Sequence, residues 1–513
     1  MEQLSQDLSG NIPHLRKSGK ATQLIVDGKP FIMLAGEVHN SSSSSLAYMH
    51  EKVWHRLLDL HCNTALLPVS WELVEPREGQ FDFGLIDGLI EAARKLGLRL
   101  IPLWFGTWKN TWSSYAPGWV KTDLDRFPRA QPQNGRNCGA ISCLSEAACD
   151  ADARAFAALM RHIREIDGQE HTVIMVQVEN ETGLLGAGRD HSDLAEERFN
   201  GPVPSELMSY LQEHKDSLIP ELHELWEASG FPASGTWAEV FGDGADEVFM
   251  AWHIGRYLER VTRSGQAEYP LPMFANAWLV QHDEQKPGEY PSGGPVSRVM
   301  DIWRCAAPSI ALLAPDIYLP DFAGVCAKYT RSGNPLLIPE ARRDETASAN
   351  AFYAFGQHDA LCFAPFGIEG TAEGNLLADT YLLLSNMMPI LAEHQGTGRM
   401  IGILQGDEET QEMELGNYRL RIRFPGPREA GKTPGGGLIM AVSPEEYIVA
   451  GHGFSVDFLP GPGGLPHVDF LSLDEGEYRN GQWIQGRRLN GDEYRLRLRG
   501  KPQVHRAKLY SYA

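Results

Sequence analysis

The stretch "TVIMVQVENETGLLG", residues 172–186, carries the strongest indication of the fold. Its segment 173–178 is apolar except for Gln177, a pattern typical of a strand that is buried on both faces. The strand runs directly into Glu179, Asn180 and Glu181, so two carboxyl groups stand at the exit of a buried strand. Strands of this kind belong to parallel sheets that helices cover on both faces.

Short apolar runs of the same kind recur along the chain and alternate with helical patterns. Besides 172–178, they are 31–36, 63–69, 98–104, 271–277, 310–318, 335–340 and 360–366. Helical spacing of apolar residues lies between most of them, at 84–96, 146–166, 246–264, 321–331 and 375–393. Eight strands that alternate with helices predict an α/β protein with parallel pairing, closed into a (β/α)8 TIM barrel. The alternative is an open doubly wound sheet, which is disfavoured because no glycine-rich phosphate turn follows a strand.

The pattern of the chain changes after about residue 396. The segments "NYRLRIRF" (417–424) and "EYRLRLRG" (493–500) read as strands, and glycine and proline punctuate the gaps. We therefore predict a barrel over 1–395 and a smaller antiparallel, β-sandwich-like domain over 396–513. The segment 183–245 is too long for a simple loop and is expected to be an insertion in the barrel.

Composition narrows the class of ligand. The 513-residue chain is 42% hydrophobic and has a formal net charge of −21, which disfavours nucleic acids and anionic membrane surfaces as partners. A neutral ligand is therefore expected. No window is long and apolar enough to span a membrane, and the start "MEQLSQDLSGNIPHL" lacks the features of a signal peptide, so a cytoplasmic location is expected.

The cysteines indicate neither a disulfide framework nor a metal site. The chain has seven, an odd and sparse set, and the spacing of Cys138, Cys143 and Cys149 matches no compact zinc motif. We expect no metal and no cofactor. The C-terminal domain offers a surface for association into a homo-oligomer.

In a barrel of this type, side chains at the carboxyl ends of the strands line one common site. Carboxylates and flat aromatic rings dominate these positions. In chain order they are Glu37, His39, Trp71, Glu72, Trp104, Trp108, Glu179, Asn180, Glu181, Asn276, Trp278, Asp316, Tyr318, Glu340, Phe366 and Glu369. Aromatic faces stack on the C–H faces of pyranose rings, and carboxylates and amides bind hydroxyl groups, so this set predicts a neutral sugar as the ligand.

Two of these acids fit the cleavage of a glycoside with retention. That reaction requires an acid that protonates the leaving oxygen and a carboxylate, roughly 5 Å away, that attacks the anomeric carbon. The fourth and seventh strands can face each other across the barrel, which makes Glu181 and Glu340 candidates. Asn180 would hold a sugar hydroxyl, provided that the regular alternation of side chains breaks at this point. From the residue pattern alone, Glu179 remains a competitor for Glu181.

Several motifs resemble a known family. "IMVQVENE" (174–181), "GEVHN" (36–40) and "NTALLPVSWELVEPREGQFDF" (63–83) are similar to β-galactosidases of glycoside hydrolase family 35, in clan A of the retaining barrel glycosidases, and to members with an extra C-terminal β domain. The resemblance covers roughly residues 24–370. It implies that Glu181 is the acid/base, that Glu340 is the nucleophile and that Glu37 lines the subsite for the nonreducing sugar.

The sequence departs from this family at positions that shape the sugar pocket. Thr182 follows the acid/base in place of tyrosine, the third strand ends in "FGTWKN" (105–110), and "ARR" (341–343) follows the nucleophile. The predicted function is a retaining exo-glycoside hydrolase that cleaves terminal β-galactosyl residues from oligosaccharides. The alternatives are a β-glucosidase, a transglycosylase on short β-linked oligosaccharides, and a non-catalytic carbohydrate-binding barrel.

Further sugar contacts are expected from several residues at the strand ends. Asn276, Tyr318 and His39 are candidates. At least one tryptophan is expected to stack on the substrate, and the sequence does not distinguish between them; Trp108 is taken as the candidate from the set Trp71, Trp104, Trp108 and Trp112.

Overall fold

The computed structural model describes residues 12–132, 136–429 and 431–513. The first described strands form a three-stranded antiparallel sheet: β1 (His14–Ser18), β2 (Ala21–Val26) and β3 (Lys29–Phe31). The strands predicted from the sequence did not include this sheet. Leu24 and Val26 of β2 pack in one buried cluster with Met33 and Ala35, which belong to the strand that follows this sheet in the chain. The sheet therefore covers the beginning of that strand.

The predicted barrel is confirmed. In the described part of the chain, eight parallel strands close on themselves in the order β10-β11-β4-β5-β6-β7-β8-β9. Their bounds are β4 (Met33–Glu37), β5 (Thr64–Ser70), β6 (Arg99–Lys109), β7 (Val176–Asn180), β8 (Met273–Trp278), β9 (Leu312–Ile317), β10 (Leu337–Ala341) and β11 (Cys362–Pro365). The pairing of β11 with β4, in which Cys362 lies opposite Met33, closes the sheet and excludes the open doubly wound alternative.

Helices surround the barrel and separate its strands. Their bounds are Leu46–Tyr48, Trp54–Asp59, Trp71–Val74, Gly84–Leu96, Gly118–Thr122, Glu146–Asp167, Asp193–Phe199, Ser205–Glu213, Pro220–Ala228, Trp237–Phe241, Ala245–Glu268, Met300–Ala306, Phe322–Tyr329, Ala347–His358 and Leu377–His394. The segment 183–245 contains four of these helices and, among the described residues, no barrel strand. Among the described residues, no helix is both long enough and apolar enough to cross a membrane.

The C-terminal part is built from antiparallel strands, as predicted. They are β12 (Met400–Leu404), β13 (Thr410–Leu415), β14 (Tyr418–Arg423), β15 (Gly436–Ala441), β16 (Glu446–His452), β17 (Phe454–Pro460), β18 (His467–Arg479), β19 (Gln482–Arg488), β20 (Leu496–Leu498) and β21 (Gln503–Tyr512). Two sheets form, ordered β12-β15-β16-β21-β18-β19 and β13-β14-β17-β20. Strand β14 buries Leu420 and Ile422, whereas Arg421 points outward and pairs with Glu412 at 2.8 Å, so its arginines form a solvated face.

The barrel and the C-terminal sheets meet at the helix Ala347–His358. Ser348 on this helix lies 2.7 Å from Nε2 of His452 on β16. Gly356 allows close approach, because a Cβ there would lie 2.7 Å from Cβ of Leu438. The barrel's last helix ends at His394 and β12 begins at Met400, and the boundary near residue 395 stays a prediction.

The cysteines of the described residues are free thiols. Burial raises the pKa of the Cys149 thiol to about 12. The amino-terminal residues 1–11, which carry most of the stretch used to predict a cytoplasmic location, lie outside the described residues.

Candidate active site

The backbone of β7 leaves regular strand geometry where its acidic residues begin. Glu179 has a φ of 59° and Glu181 a φ of 45°, both in the left-handed region that a strand residue does not adopt. This is the break in alternation that the sequence required for Asn180 and Glu181 to face the same site. Its consequence is that three consecutive side chains point in directions that an extended strand does not allow.

Glu179 faces away from the barrel mouth. Its carboxylate accepts hydrogen bonds from the backbone N–H groups of Thr107 at 3.0 Å and Trp108 at 2.6 Å. These amides belong to β6, where the register with β7 shifts between Trp104 and Lys109. Glu179 therefore satisfies the amides of an irregular strand, whereas the carboxyl group of Glu181 lies beside that of Glu340.

Three carboxyl groups converge at the mouth of the barrel. One oxygen atom from each of Glu181, Asp316 and Glu340 lies within 4.8 Å of the other two. Glu181 and Glu340 are 159 positions apart in the chain, and closure of the barrel brings them together. Their spacing matches the roughly 5 Å between carboxyl groups that double displacement requires.

Two neutral donors orient the carboxylate of Glu340. The amide of Asn180 donates to one oxygen at 3.3 Å, and the hydroxyl of Tyr318 donates to the other at 2.9 Å. Burial and the negative charge of Glu340 raise the pKa of Tyr318 above its ordinary value, so the hydroxyl keeps its proton. Both partners were expected as sugar contacts, and the structure places both against Glu340.

Lys109, at the end of β6, supplies a positive charge to this cluster. Its Nζ donates to Oδ1 of Asn180 at 2.9 Å, and its side chain is buried. Burial by itself lowers the pKa of Lys109, but the surrounding carboxylates, with Glu340 and Glu181 foremost, raise it above the ordinary value. The hydrogen bond to Lys109 also sets which end of the Asn180 amide faces Glu340, because the oxygen is already engaged.

Glu181 is held in an environment that favours its protonated form. Burial and the repulsion from Glu340 raise its pKa to about 7, against a partial opposing effect of Lys109. The amide of Asn110 donates to its carboxylate, and its own backbone N–H donates to Oδ1 of Asn276 at 3.0 Å. Glu181 is thus a carboxyl group that carries a proton up to neutral pH.

Asp316, on β9, completes the acidic group. It accepts a hydrogen bond from the amide of Asn276 at 2.7 Å, and no N–H or O–H group of the residues that the structure describes donates to its Oδ1. Burial, together with the charges of Glu340 and Glu181, raises its pKa well above the usual range. Asn276 lies on β8 and was expected as a sugar contact. Its amide is hydrogen-bonded to both Glu181 and Asp316 and fixes their positions.

Glu37, at the end of β4, is a buried carboxyl group that is suited to contact a ligand. It is fully buried, and among the described residues neither of its carboxyl oxygens finds a hydrogen-bond partner. Burial and the charge of Glu340 raise its pKa well above the usual range. Buried carboxyl oxygens that the protein leaves unpaired are suited to hydroxyl groups of a bound molecule.

Two of the expected sugar contacts lie away from these carboxyl groups. Trp108 is buried, its indole N–H donates to the carbonyl of Ile141 at 3.1 Å, and its ring packs on Tyr257. The prediction that Trp108 contacts the sugar is not supported, because packing and hydrogen bonding already occupy both ring and N–H. His39 lies at the rim, where its Nδ1 is 3.0 Å from Glu369.

The structure also separates the tryptophans that the sequence left equivalent. Trp71 and Trp104 are fully buried, and their indole N–H groups donate to Glu75 and Asp152 at 2.9 and 2.8 Å. Trp112 is 44% exposed. Of the four, only Trp112 offers an open ring face.

Lys109 and Asn110 were not among the site residues predicted from the sequence, and Asp316 was predicted to line the site without a role of its own. Each lies at or just beyond the carboxyl end of a barrel strand, which was the available signal. Lys109 and Asn110 were noted only as departures from a family pattern. A lysine at the end of a strand is usually exposed to solvent. The neighbouring sequence therefore could not show that Lys109 is buried among carboxyl groups.

The comparisons with known proteins point to β-galactosidases. Residues 48–239 match the family model Glyco_hydro_42, described as "Beta-galactosidase", and residues 377–499 match a domain of unknown function, DUF5597. The matching model is that of family 42, so the assignment to family 35 is not confirmed. A curated β-galactosidase from Xanthomonas manihotis is 30% identical over 188 residues, which is 35% of this chain and 28% of the relative. The chain thus spans little more than a quarter of that relative.

Solved structures with similar folds include two β-galactosidases. A catalytic mutant of Gan42B, a family 42 β-galactosidase from G. stearothermophilus, is 12% identical, with 93% of this chain and 98% of that chain covered and a TM-score of 0.48. The enzyme from Bacillus circulans sp. alkalophilus is 15% identical, with 65% and 50% covered and a TM-score of 0.45. The fold is established here by the strand pairing itself.

We expect the Glu181 carboxyl group to titrate with a pKa of about 7 in the unliganded protein. The variant Glu340→Gln removes the neighbouring negative charge, so the pKa of Glu181 should fall below that value. Carbon-13 NMR of carboxyl-labelled glutamate, with the Glu181 signal assigned by its loss in Glu181→Gln, measures both. The control Glu91→Gln changes an exposed pair with Lys95 and should leave the titration unchanged. The expectation is contradicted if the pKa of Glu181 is ordinary in the wild type, or if it does not fall in Glu340→Gln.

Proposed function

We propose that this protein is a retaining exo-glycoside hydrolase that removes terminal β-galactosyl residues from oligosaccharides. The observation that carries the proposal is the approach of Glu181 and Glu340 to within 4.8 Å in a buried barrel mouth. A galactosyl substrate is supported by the names of the matching family model and of the curated relative. The exo mode is supported by the buried carboxyl of Glu37, whose oxygens have no hydrogen-bond partner among the described residues and could bind the hydroxyl groups of a terminal sugar.

In the first step Glu340 acts as the nucleophile. Its carboxylate attacks the anomeric carbon, the bond to the glycosidic oxygen breaks, and Glu181 gives its proton to that oxygen as the leaving group departs. Asn180 and Tyr318 hold the attacking carboxylate. In this proposal Asn180 also binds a hydroxyl beside the reacting carbon. Lys109 keeps the Asn180 amide in the orientation that both contacts need.

In the second step the roles of the two acids reverse. Once Glu340 is esterified its negative charge is gone, and the charge repulsion that raises the pKa of Glu181 disappears with it. Glu181 then accepts a proton from water, the water oxygen attacks the anomeric carbon, and the bond to Glu340 breaks. The same proximity that keeps the acid protonated in the first step therefore makes it a base in the second.

The partners and organisation that we propose follow from the same features. A short neutral oligosaccharide is the substrate, in keeping with the strongly negative net charge of the chain. Residues 1–395 would form the catalytic domain with its insertion near 183–245, and residues 396–513 the C-terminal domain. A cytoplasmic location and a homo-oligomeric state remain part of the proposal.

Substrate choice is tested with the wild-type protein and paired p-nitrophenyl glycosides. We expect kcat/KM for the β-galactoside to exceed that for the β-glucoside by at least tenfold, because the substrate class is inferred from β-galactosidase relatives. The α-galactoside should not be cleaved. A preference for the β-glucoside supports the glucosidase alternative. Binding of lactose without turnover of any of these glycosides supports a carbohydrate-binding barrel and overturns the proposed function.

The nucleophile is tested with Glu340→Gly. We expect turnover of p-nitrophenyl β-galactoside to fall by about 10³-fold or more, and sodium azide to restore part of it by entering the space of the lost carboxylate. Azide that attacks from this side gives α-galactosyl azide, which NMR of the product identifies. The matched surface variant Glu91→Gln should retain full activity. Undiminished turnover by Glu340→Gly, or rescue that yields only the β-azide, contradicts the role.

The acid is tested with Glu181→Gln and two leaving groups. Lactose needs a proton on its leaving oxygen, so its kcat/KM should fall by about 10²- to 10⁴-fold, whereas 2,4-dinitrophenyl β-galactoside should be much less affected in the first step. The wild-type rate for lactose should decline as the pH rises through about 7, because Glu181 then loses its proton. That alkaline limb should be absent in Glu181→Gln. Equal losses for both substrates would contradict the assignment.

A further inference from the structure

Lys109 and Trp112 form the two ends of a tight hairpin at the barrel mouth. The N–H of Lys109 donates to the carbonyl of Trp112 at 2.9 Å, and the N–H of Trp112 donates to the carbonyl of Lys109 at 3.0 Å. Asn110 and Thr111 between them have φ values of 49° and 70°, as a two-residue turn of the I′ type requires. Directly paired residues of a hairpin project their side chains from the same face. Because Lys109 points into the acidic cluster, Trp112 projects from the active-site face of the hairpin.

The hairpin is attached to the proposed acid/base. The Asn110 amide donates to the carboxylate of Glu181, and the N–H of Thr111 donates to the Glu181 carbonyl at 3.1 Å. Trp112 follows directly, so its Cα lies within about 8 Å of the Asn110 Cα. The strained backbone of the β-branched Thr111 shows that this placement is held by its surroundings rather than by local preference.

The indole of Trp112 has one supported face and one open side. A Cβ at Gly139 would lie 2.5 Å from Cε3 of the ring, so the indole rests directly on the glycine backbone. The N–H of Ser113 donates to the Gly139 carbonyl at 3.1 Å, which ties the supporting segment to the hairpin. With 44% of the residue exposed, the result is a flat apolar surface that the protein backs but does not cover.

We propose that Trp112 is the binding platform for the leaving-group sugar, the pyranose ring on the reducing side of the bond that is cleaved. This inference rests on the proposed function. The group that protonates the glycosidic oxygen must lie beside the departing sugar, and Trp112 stands next to that group. The nonreducing sugar is enclosed by the buried polar cluster, whereas the leaving sugar meets an exposed indole that stacks on its C–H face. The platform favours oligosaccharides over galactosides that lack a second ring.

The test compares lactose with β-galactosyl fluoride, whose leaving group has no ring. In Trp112→Ala we expect kcat/KM for lactose to fall about tenfold, the size of one aromatic stacking contact, and kcat/KM for the fluoride to stay within about twofold of wild type. Trp112→Phe should recover most of the lactose activity. Gly139→Ala should reproduce the selective loss, because its methyl group displaces the indole.

Equal losses of kcat/KM on both substrates in Trp112→Ala, or an unchanged kcat/KM for lactose, overturn the proposal that Trp112 binds the leaving sugar. If the wild-type protein cleaves neither substrate, the proposed function is overturned instead. The role of Trp112 is then tested by measuring sugar binding. Titration of tryptophan fluorescence should show that lactose binds about tenfold more tightly than galactose in the wild type and equally in Trp112→Ala. Equal affinity for the two sugars in the wild type overturns the platform independently of catalysis.

Discussion

Four buried carboxyl groups share the mouth of this barrel with the ammonium group of Lys109. Glu37, Glu181, Asp316 and Glu340 all act on the pKa of this lysine, and burial together with the repulsion among the four raises the pKa values of the first three. Four negative charges cannot be held together in a poorly hydrated space, so some of these acids stay protonated. That constraint provides one protonated acid beside one carboxylate, which is the pairing that acid-assisted displacement at a sugar carbon needs.

The backbone around this cluster departs from regular geometry where the chemistry requires it. Glu179, Glu181, Asn110 and Thr111 all have positive φ values, each of which costs of order 1–3 kcal/mol for such residues. The hydrogen bonds that the amides of β6 donate to Glu179, and those that the 110–111 turn donates to Glu181, offset this strain. Because of this backbone geometry, the neighbouring residues Asn180 and Glu181 reach the same site. In a regular strand their side chains would point to opposite faces.

Sequence similarity and geometry support different parts of the site. The β-galactosidase family model covers 48–239, a range that includes Lys109 and Glu181 but neither Glu37 nor Glu340. The nucleophile assignment therefore depends on the closure of the barrel, which places β10 three strands away from β7 around the ring, with the carboxyl ends of both at the same mouth. The helix Ala347–His358 follows β10 and packs against the C-terminal sheets, so the second domain supports the part of the barrel that carries Glu340.

The sequence by itself determined the eight-stranded barrel, the antiparallel C-terminal part and the acidic strand ends, because these depend on local periodicity and on the known direction of parallel strands. Only the tertiary structure decided which side chains meet. Glu179 and Glu181 are equivalent by spacing, yet left-handed backbone turns send them to opposite sides of β7. Trp108 and Trp112 are four residues apart, yet one is buried against Tyr257 and the other is open at the rim. Lys109 joins the acids because closure of the barrel surrounds it with strands distant in the chain. No local pattern contains that information, since burial and charge balance are properties of the assembled site.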